Sequence, residues 1–233
     1  DLEEHPYFFC TNPDNTVDVL RENGEIVFRD VPNDCVPIGD RLFSSHTFQE
    51  GNDCWGMINE AGEIVVPANY RSMDFIGDNI TATDGEGKKY LFDEKGNLLT
   101  SEGYDKFTLA SDYIKVYQDD KVGVFTKEGK PLIPTEYESI GDVSLQLQRV
   151  WAKKEGKWGV VDLQNHPVIE FDYSNHGLFD SSTGYTFAAK EGKAGILNQD
   201  GTVIIPFLFD GPDKGMPFRL NGNLAVAAKD GKY

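Results

Sequence analysis

The chain has 233 residues, of which 39% are hydrophobic and 12% aromatic, so it has enough apolar material for a core and is not globally disordered. Its 22 basic and 39 acidic residues give a formal net charge of -17, which disfavours nucleic acids and anionic membrane surfaces as partners. The apolar runs fall short of the roughly 18 residues that a membrane-spanning segment needs, so we expect no membrane insertion.

Acidic residues are concentrated towards the N-terminal end. Residues 1–100 contain 20 Asp and Glu against 7 Lys and Arg, whereas residues 101–233 contain 19 against 15. Glu60, Glu63, Asp74 and Asp78 are the candidate residues of an acidic surface that would bind a basic protein or peptide. A solvated surface without a partner is the simpler alternative.

Pairs of short apolar runs separated by a polar turn recur along the chain and predict β-hairpins. The six predicted hairpins are, in chain order, 17–28, 54–66, 89–99, 121–133, 157–169 and 193–205. Their turn residues, Gly24, Gly62, Gly96, Gly129, Asn165 and Gly201, follow one another at intervals of 33 to 38 residues. Such a spacing is typical of repeat architectures, so the chain is interpreted as about six copies of one unit.

A further strand precedes each hairpin, for example at 149–152 and 185–189, which makes each unit a three-stranded antiparallel meander. The predicted units are approximately 6–40, 41–77, 78–110, 111–146, 147–182 and 183–220, in a single repeat domain 1–233 with the start of a further unit at 221–233. The predicted fold is therefore all-β, with tandem meander repeats in an open-ended array. A closed, propeller-like arrangement is the alternative, less favoured because propeller blades usually have four strands.

Several residue types recur at fixed places in the unit. The repeated positions are Trp55, Gly56, Gly123, Trp158, Gly159, Gly195, Pro67, Pro134, Pro206, Tyr70, Tyr137 and Tyr173. Glycine inside a strand predicts close approach of a neighbouring backbone or ring. The prolines are predicted to end the third strand, because proline cannot donate a ladder hydrogen bond. The tyrosines are predicted to fill the gap between successive units.

This repeated pattern resembles that of the bacterial WG-repeat (KWG-repeat) family. Trp55-Gly56 and Trp158-Gly159 match the family's Trp-Gly pair directly. Other copies depart from it, with Val17, Lys89, Val122 or Ala194 in place of Trp and with Asp18 or Tyr90 in place of Gly. The resemblance covers essentially the whole chain and implies a bacterial repeat scaffold without family-wide catalytic residues.

The residues that could carry chemistry form no catalytic or metal-binding pattern. His5, His46, His166 and His176 have no metal-ligand spacing and are interpreted as exposed or locally hydrogen-bonded. Cys10, Cys35 and Cys54 fit neither a disulfide framework nor a zinc site, although one bridge beside one free thiol stays open. The glycines at 83–88 lie at a predicted hairpin turn and not in a phosphate loop, and the Gly-Asp pairs at 39–40, 77–78 and 141–142 lack calcium-loop spacing. We therefore expect no enzyme, no cofactor and no metal.

The function predicted is a non-enzymatic repeat scaffold for protein or peptide binding. A carbohydrate or cell-envelope ligand module using Phe43, Phe48 or Phe107 is one alternative, and an accessory targeting array of a larger multidomain protein is another. The chain begins at Asp1 and ends at Tyr233, one residue before the next expected glycine, so we expect a piece of a longer array. Secreted and cytoplasmic locations both stay open, and so does the oligomeric state.

Overall fold

A computed structural model describes residues 7–39, 41–49, 51–211, 219–221 and 224–232. Within these residues every regular element is a β-strand, and there is no helix that could span a membrane. His5, Asp40 and Tyr233 lie outside the described residues. The chain divides into two compact units, one formed by residues up to Ile114 with Thr126–Lys130, the other by Lys115–Phe125 with the residues from Pro131 onwards.

The strands form small antiparallel sheets of consecutive strands, numbered here in chain order. Sheet 1 contains β1 (Tyr7–Thr11), β2 (Thr16–Arg21) and β3 (Ile26–Pro32); sheet 2 contains β4 (Pro37–Gly39), β5 (Leu42–Gln49), β6 (Asn52–Asn59) and β7 (Ile64–Tyr70). Sheet 3 contains β8 (Ser72–Ile76), β9 (Asn79–Thr83) and β10 (Lys89–Phe92); sheet 4 contains β11 (Lys106–Leu109), β12 (Tyr113–Gln118), β13 (Lys121–Thr126) and β14 (Pro131–Tyr137). Each sheet is thus built locally, from strands that follow one another along the chain.

The same organisation continues to the end of the described residues. Sheet 5 contains β15 (Ser139–Ser144), β16 (Arg149–Lys154), β17 (Lys157–Val161) and β18 (Pro167–Tyr173); sheet 6 contains β19 (Asn175–His176), β20 (Tyr185–Lys190), β21 (Lys193–Asn198) and β22 (Val203–Asp210); sheet 7 contains β23 (Arg219–Asn221) and β24 (Leu224–Val226). The predicted all-β repeat fold is confirmed. Sheets 2, 4, 5 and 6 have four strands, because a short strand precedes the predicted meander. The choice between an open array and a closed ring, and the single repeat domain, stay predictions.

A polar side chain closes the tip of several hairpins. The Oδ1 atom of Asp162 accepts hydrogen bonds from the backbone N–H groups of Gln164 (2.9 Å) and His166 (2.8 Å). Asn59, Asp93 and Asn198 accept the corresponding pair of bonds at their own tips. Side chains of this type stabilise the turn before glycine takes the left-handed conformation, here with φ of 76° at Gly62.

The strand glycine, where a repeat has one, lies against an irregularity in the next strand. In sheet 4 Val122 pairs with Tyr137 and Val124 pairs with Ile133, so Gly123 alone faces three residues of β14. A methyl group on Gly123 would lie 2.5 Å from the Ile133 carbonyl oxygen, closer than real side chains approach. The glycine is therefore required by a β-bulge in the third strand.

The prediction that proline ends the third strand is wrong. Pro67 lies inside β7, Pro134 inside β14 and Pro206 inside β22, and each of these strands continues for three or more residues. The ladder is already interrupted at the bulge, so a residue without an N–H is tolerated there. The prolines mark the bulge and not the end of the strand.

The core of each compact unit consists of apolar strand residues from neighbouring sheets. In the first unit Met57, Val66 and Ile80 are almost fully buried together with Phe92. In the second unit the largest buried side chain is Trp151, which packs with Val160, Ile169 and Leu197. Burial of these residues stabilises the sheets through the hydrophobic effect.

Candidate functional site

Glu60, one of the four acidic candidates, is paired within the chain. It lies at the β6–β7 tip, where its carboxylate accepts a hydrogen bond from the Tyr7 hydroxyl (2.7 Å) and forms an ion pair with Arg21 (2.9 Å). Burial alone would raise the pKa of Glu60, but hydrogen bonds from Arg21 and Tyr7 outweigh burial and hold that pKa below its ordinary value. The negative charge of Glu60 is thus largely compensated by Arg21.

The other three acidic candidates are exposed but lie on different elements. Glu63 belongs to the same tip as Glu60 and accepts a hydrogen bond from the Asn59 side chain (2.8 Å). Asp74 lies on β8, and Asp78 lies in the turn between β8 and β9. Only Asp78 among the four lines the cavity described next.

A cavity of about 380 Å³ opens in the first compact unit around the β8–β9 turn. It is lined by Ile76, Gly77, Asp78, Asn79, Asp93, Glu94, Lys95, Leu99, Leu109, Lys127 and Glu128. Ile76 and Leu99 are half-buried and Leu109 is 40% exposed, whereas the charged lining residues other than Asp93 are exposed. The cavity therefore combines an apolar surface with a charged margin.

Two contacts position the walls of this cavity. The Asn79 side chain donates a hydrogen bond to the Lys127 carbonyl oxygen (2.7 Å), which holds the β13–β14 tip beside the β8–β9 turn. Gly129 of that tip approaches Leu99 so closely that an added methyl group would lie 2.5 Å from Leu99 Cβ. The tip is thus fixed against sheet 3, and the charges of Lys127 and Glu128 are fixed with it.

The margin of the cavity carries more negative than positive charge, with four carboxylates against Lys95 and Lys127. Burial acts to raise the pKa of Asp93, but hydrogen bonds from Asn97 and the N–H of Lys95 outweigh it and lower that pKa. A hydrogen bond with Thr126 lowers the pKa of Glu128. Asp93 is committed to its turn, so Asp78, Glu94 and Glu128 are the carboxylates available to a ligand.

Two histidines pack against the tryptophans of the repeats, a feature that sequence reasoning missed. His46 bonds to Asp34 (2.9 Å) and Asp53 (2.8 Å) and lies 4.7 Å from the Trp55 ring. Its position opposite Trp55 in the β5–β6 ladder is the signal that could have revealed this pair. The contacts are structural, because they occupy both ring nitrogens of His46.

The second histidine, His176, lies between Trp151 (ring centroids 4.7 Å apart) and Trp158 (4.4 Å). It was predicted to be exposed or locally hydrogen-bonded; its ring nitrogen does contact the Gly177 carbonyl oxygen (3.0 Å), but the ring is largely covered. Burial lowers the pKa of His176 more than the hydrogen bond with Gly177 and the charge of Asp142 raise it. A buried neutral imidazole of this kind packs as an aromatic ring.

The three cysteines are free thiols: Cys10 is exposed, Cys35 is buried and Cys54 is partly covered. Burial, helped by the charge of Asp34, raises the pKa of Cys35 to about 11. A thiol with so high a pKa is a poor nucleophile near neutral pH. No group of three or more metal-ligating side chains is gathered anywhere in the part of the chain that the structure describes.

The aromatic residues considered for a carbohydrate site are mostly internal. Phe43 is fully buried and Phe107 is 8% exposed, so the expectation that they form a ligand platform is wrong. Both pack in the interior because they lie on inward-facing strand positions. Phe48, at 70% exposure, is the one residue of the three that solvent reaches.

The repeated tyrosines contact aromatic residues of the following sheet. Tyr70 lies 5.9 Å from Tyr90 and 5.8 Å from Phe92, ring centre to ring centre. Tyr137 stacks on Phe171 (6.1 Å), and Tyr173 lies 5.8 Å from Phe207. Within its own sheet each tyrosine pairs with the Trp position, as Trp55 with Tyr70 and Trp158 with Tyr173.

Comparison with known proteins identifies the repeat. The model of a family described as WG containing repeat matches residues 55–82, 123–158, 158–193 and 195–233, which is more than half of the chain. A search of curated proteins finds no match.

Among solved structures, the alignment with the computationally designed Ika8 protein covers 99% of this chain and 80% of the Ika8 chain, at 12% identity and a TM-score of 0.37. The alignment with BamB from Moraxella catarrhalis covers 97% of this chain and 77% of the BamB chain, at 13% identity and a TM-score of 0.33. The alignment with the WD40 beta propeller domain of Doa1 covers 71% of this chain and 64% of that domain's chain, at 9% identity and a TM-score of 0.31. At such low TM-scores these likenesses do not decide how the sheets are arranged.

Proposed function

This chain belongs to the WG-repeat family, and we propose that it is a non-enzymatic scaffold that binds a basic, partly apolar peptide segment of another protein. The family and the all-β repeat fold argue against an enzyme, since the repeated residues take part in turns, bulges and packing. What distinguishes one repeat from another is the surface between these positions. The cavity around the β8–β9 turn is one such feature of that surface.

The juxtaposition of apolar and acidic side chains in this cavity carries the proposal. Its volume of about 380 Å³ is at the lower end of ligand sites, which hold roughly 300–1,000 Å³, and it would accept one or two side chains. An aliphatic side chain of the partner would contact Ile76, Leu99 and Leu109. A neighbouring Lys or Arg of the same segment would reach Asp78, Glu94 or Glu128.

The expected affinity is modest and dependent on salt. Exposed ion pairs contribute roughly 0.2–1 kcal/mol each, so three of them supply at most about 3 kcal/mol. Their contribution is screened over about 10 Å at 0.1 M salt, so raised salt should weaken binding. The net charge of -13 in residues 1–100 would also speed the approach of a basic partner.

The test measures fluorescence polarisation with a library of labelled peptides that combine Lys or Arg with one aliphatic residue. The triple variant Asp78→Asn, Glu94→Gln, Glu128→Gln should bind the best peptide roughly 3- to 30-fold more weakly, a loss of about 0.7–2 kcal/mol. The matched control, Glu63→Gln, Asp74→Asn, Glu86→Gln, removes the same charge from exposed positions outside the cavity and should bind almost as the parent chain does.

Equal losses in the two triple variants would reduce the interaction to general charge attraction and contradict a site at the cavity. Leu109→Gln tests the apolar part separately, because Leu109 is already 40% exposed and its replacement leaves the core intact. Unchanged affinity in this variant would also count against the proposal, as would a library without any binder.

A further inference from the structure

Three consecutive repeats expose an aliphatic side chain at the same place. Ile26 begins β3, Ile64 begins β7, and Leu98 holds the corresponding place two residues after its own tip glycine. They are 38%, 73% and 52% exposed, respectively. Pro131 and Pro167 hold this place in the next two repeats. Proline protects the edge of a sheet there, whereas Ile26, Ile64 and Leu98 leave a row of apolar side chains in solvent.

The following repeat does not cover this row, because its hairpin tip meets the same strand one or two residues further along. The distances from an added methyl group are 4.0 Å for Gly62 to Phe28 Cε1, 2.7 Å for Gly96 to Val65 Cγ1 and 2.5 Å for Gly129 to Leu99 Cβ. The place that a following repeat takes is thus already filled beside each of the three aliphatic side chains. Their exposure therefore does not depend on where the chain begins or ends.

The hairpin tips that precede these three residues are acidic. They contain six acidic and two basic residues, whereas the next three tips of the chain contain three acidic and two basic residues. The six tips are, in chain order, 21–25, 59–63, 93–97, 126–130, 162–166 and 198–202. Ile26, Ile64 and Leu98 together with the first three tips are called here the tip row. The tip row combines apolar surface with negative charge, as the cavity does.

The tip row leads into the cavity. Leu98 is the neighbour of Leu99, which lines the cavity together with Asp93, Glu94 and Lys95 of the preceding tip. The pairing of sheet 3 places the β8–β9 turn and this tip at the same end of the sheet, since Ile80 pairs with Phe92 and Phe92 with Leu98. A segment that enters the cavity can therefore continue over the tip row.

The row does not continue past the cavity into the fourth repeat. The β13–β14 tip there contains Lys127 and Lys130 against Glu128. Pro131 follows this tip in the place of an exposed aliphatic residue. A basic segment would be repelled by the two lysines and would find no aliphatic side chain, so the favourable direction runs from the cavity towards the first repeat.

We propose that the partner segment extends from the cavity along the tip row and offers one basic and one aliphatic residue to each repeat. The inference rests on the proposed function, because the cavity holds one end of the segment. The partner is basic because the row is acidic, which also disfavours nucleic acid, an anionic membrane or a second copy of this chain with its net charge of -17. Packed sheets lie about 10 Å apart and an extended chain advances roughly 3.3–3.6 Å per residue, so about three residues span one repeat.

Two synthetic peptides test the extension by fluorescence polarisation. One contains the triplet Lys-Leu-Ser twice and reaches little beyond the cavity, and the other contains it four times and reaches the tips of the second and first repeats. The longer peptide should bind about tenfold more tightly, because each further tip adds an ion pair and an apolar contact within one molecule. Additional registers of the repeated triplet account for only about threefold of this gain.

A row variant, Glu63→Gln, Ile64→Gln, Leu98→Gln, changes exposed positions that do not line the cavity. It should bind the short peptide as the parent chain does and the long peptide no more than about threefold more tightly than the short one. The matched control, Glu170→Gln, Leu178→Gln, Val203→Gln, removes the same charge and two exposed aliphatic side chains from the second unit. Val203 begins β22 and so holds the repeat position of Ile64, but the control should keep the tenfold gain.

Three results would overturn the extension: a gain of about threefold or less in the parent chain, an equal gain in the row variant, or an equal loss in the control. Each of them leaves binding of the short peptide at the cavity intact. A short peptide that fails to bind, or that binds equally well to the chain with Asp78→Asn, Glu94→Gln and Glu128→Gln, contradicts the proposed function itself and with it the extension.

Discussion

Replacing Gly56 by alanine should destabilise the first compact unit, because the third strand leaves no room for a methyl group. The added Cβ would lie 2.7 Å from the Ala68 nitrogen and 2.8 Å from its Cα, and it would come closer still to the Val66 carbonyl oxygen. All three are backbone atoms of β7, which cannot rotate away as a side chain would. Relief therefore requires that β7 moves or that its bulge is lost.

The size of the effect follows from two opposing contributions. Forcing a methyl group into a well-packed site costs about 1–3 kcal/mol, and fixed backbone neighbours place Gly56 at the upper end of this range. Alanine also restricts the unfolded chain, which offsets about 0.4–1 kcal/mol. The expected net loss in the free energy of unfolding is about 2 kcal/mol, or a fall of about 1 M in the urea midpoint.

Substitutions at two other glycines of the same unit serve as controls, which distinguish the effect of steric contact from that of backbone strain. Gly85 has only the end of the Arg71 side chain near it, at 3.8 Å, and its φ is not in the left-handed region, so Gly85→Ala should be neutral or slightly stabilising. Gly87 has open space but a φ of 87°, so Gly87→Ala should cost about 1–2 kcal/mol through strain alone.

Urea unfolding followed by circular dichroism gives the three free energies under the same conditions. A Gly56→Ala chain within about 0.5 kcal/mol of the parent, or no less stable than Gly85→Ala, would refute the steric account of the Trp-Gly pair.

The turn caps and the buried histidine give two further predictions. Asp162→Ala should lower the free energy of unfolding by about 1–2 kcal/mol, because two backbone N–H groups lose a charged acceptor. Asp162→Asn should retain most of that free energy, because Asn59 and Asn198 accept the corresponding hydrogen bonds at their own tips. Hydrogen bonding to the His166 backbone N–H lowers the pKa of Asp162. The stabilisation by Asp162 is therefore complete above its unfolded-state pKa and is lost as pH falls through the lowered pKa. Acid unfolding of Asp162→Asn beside the parent chain checks this, because the variant lacks the titrating carboxylate. Burial lowers the pKa of His176, so the neutral ring stabilises the fold fully above the ordinary value of 6.5, and this stability falls as pH drops towards the lowered pKa. The melting temperature of His176→Phe should therefore fall less than that of the parent chain between about pH 7 and about pH 5. An equal fall in both chains would contradict a buried neutral His176.

The hairpins were predictable from sequence because each has strong local signals. Alternating apolar residues and a turn residue with positive φ, a glycine or Asn165, identify the second and third strands. The third strand predicted at 98–99 is the exception, since Leu98 forms only an isolated bridge with Phe92. The short strands β4, β11, β15 and β19 were not predicted. They have two to six residues and include polar or glycine positions such as Gly39 and Asn175, so they are indistinguishable from turns until a neighbouring strand pairs with them.

The candidate site was predictable only in part, for a related reason. Counting charges in the sequence does not distinguish Glu60 from Asp78. In the structure Arg21, 39 positions away in the sequence, compensates the charge of Glu60. The cavity arises where the β13–β14 tip meets sheet 3 through Asn79 and Lys127, which are 48 positions apart. Composition and local patterns do not contain such distant pairings.

The two members of the Trp-Gly pair are constrained differently. Gly123, Gly159 and Gly195 all lie against the backbone of the bulged strand, so no larger residue fits there without moving that strand. The Trp position instead faces the tyrosine or phenylalanine of the third strand, and the chain places Val122 opposite Tyr137 and Ala194 opposite Phe209. This position is half-buried where it holds Trp55 or Trp158 and buried where it holds Val122 or Ala194, so side chains of different size occupy it. The glycine is therefore required where the third strand carries this bulge, whereas Asp18 and Tyr90 occupy its place in two other repeats. The tryptophan adds packing where a histidine such as His176 lies against it.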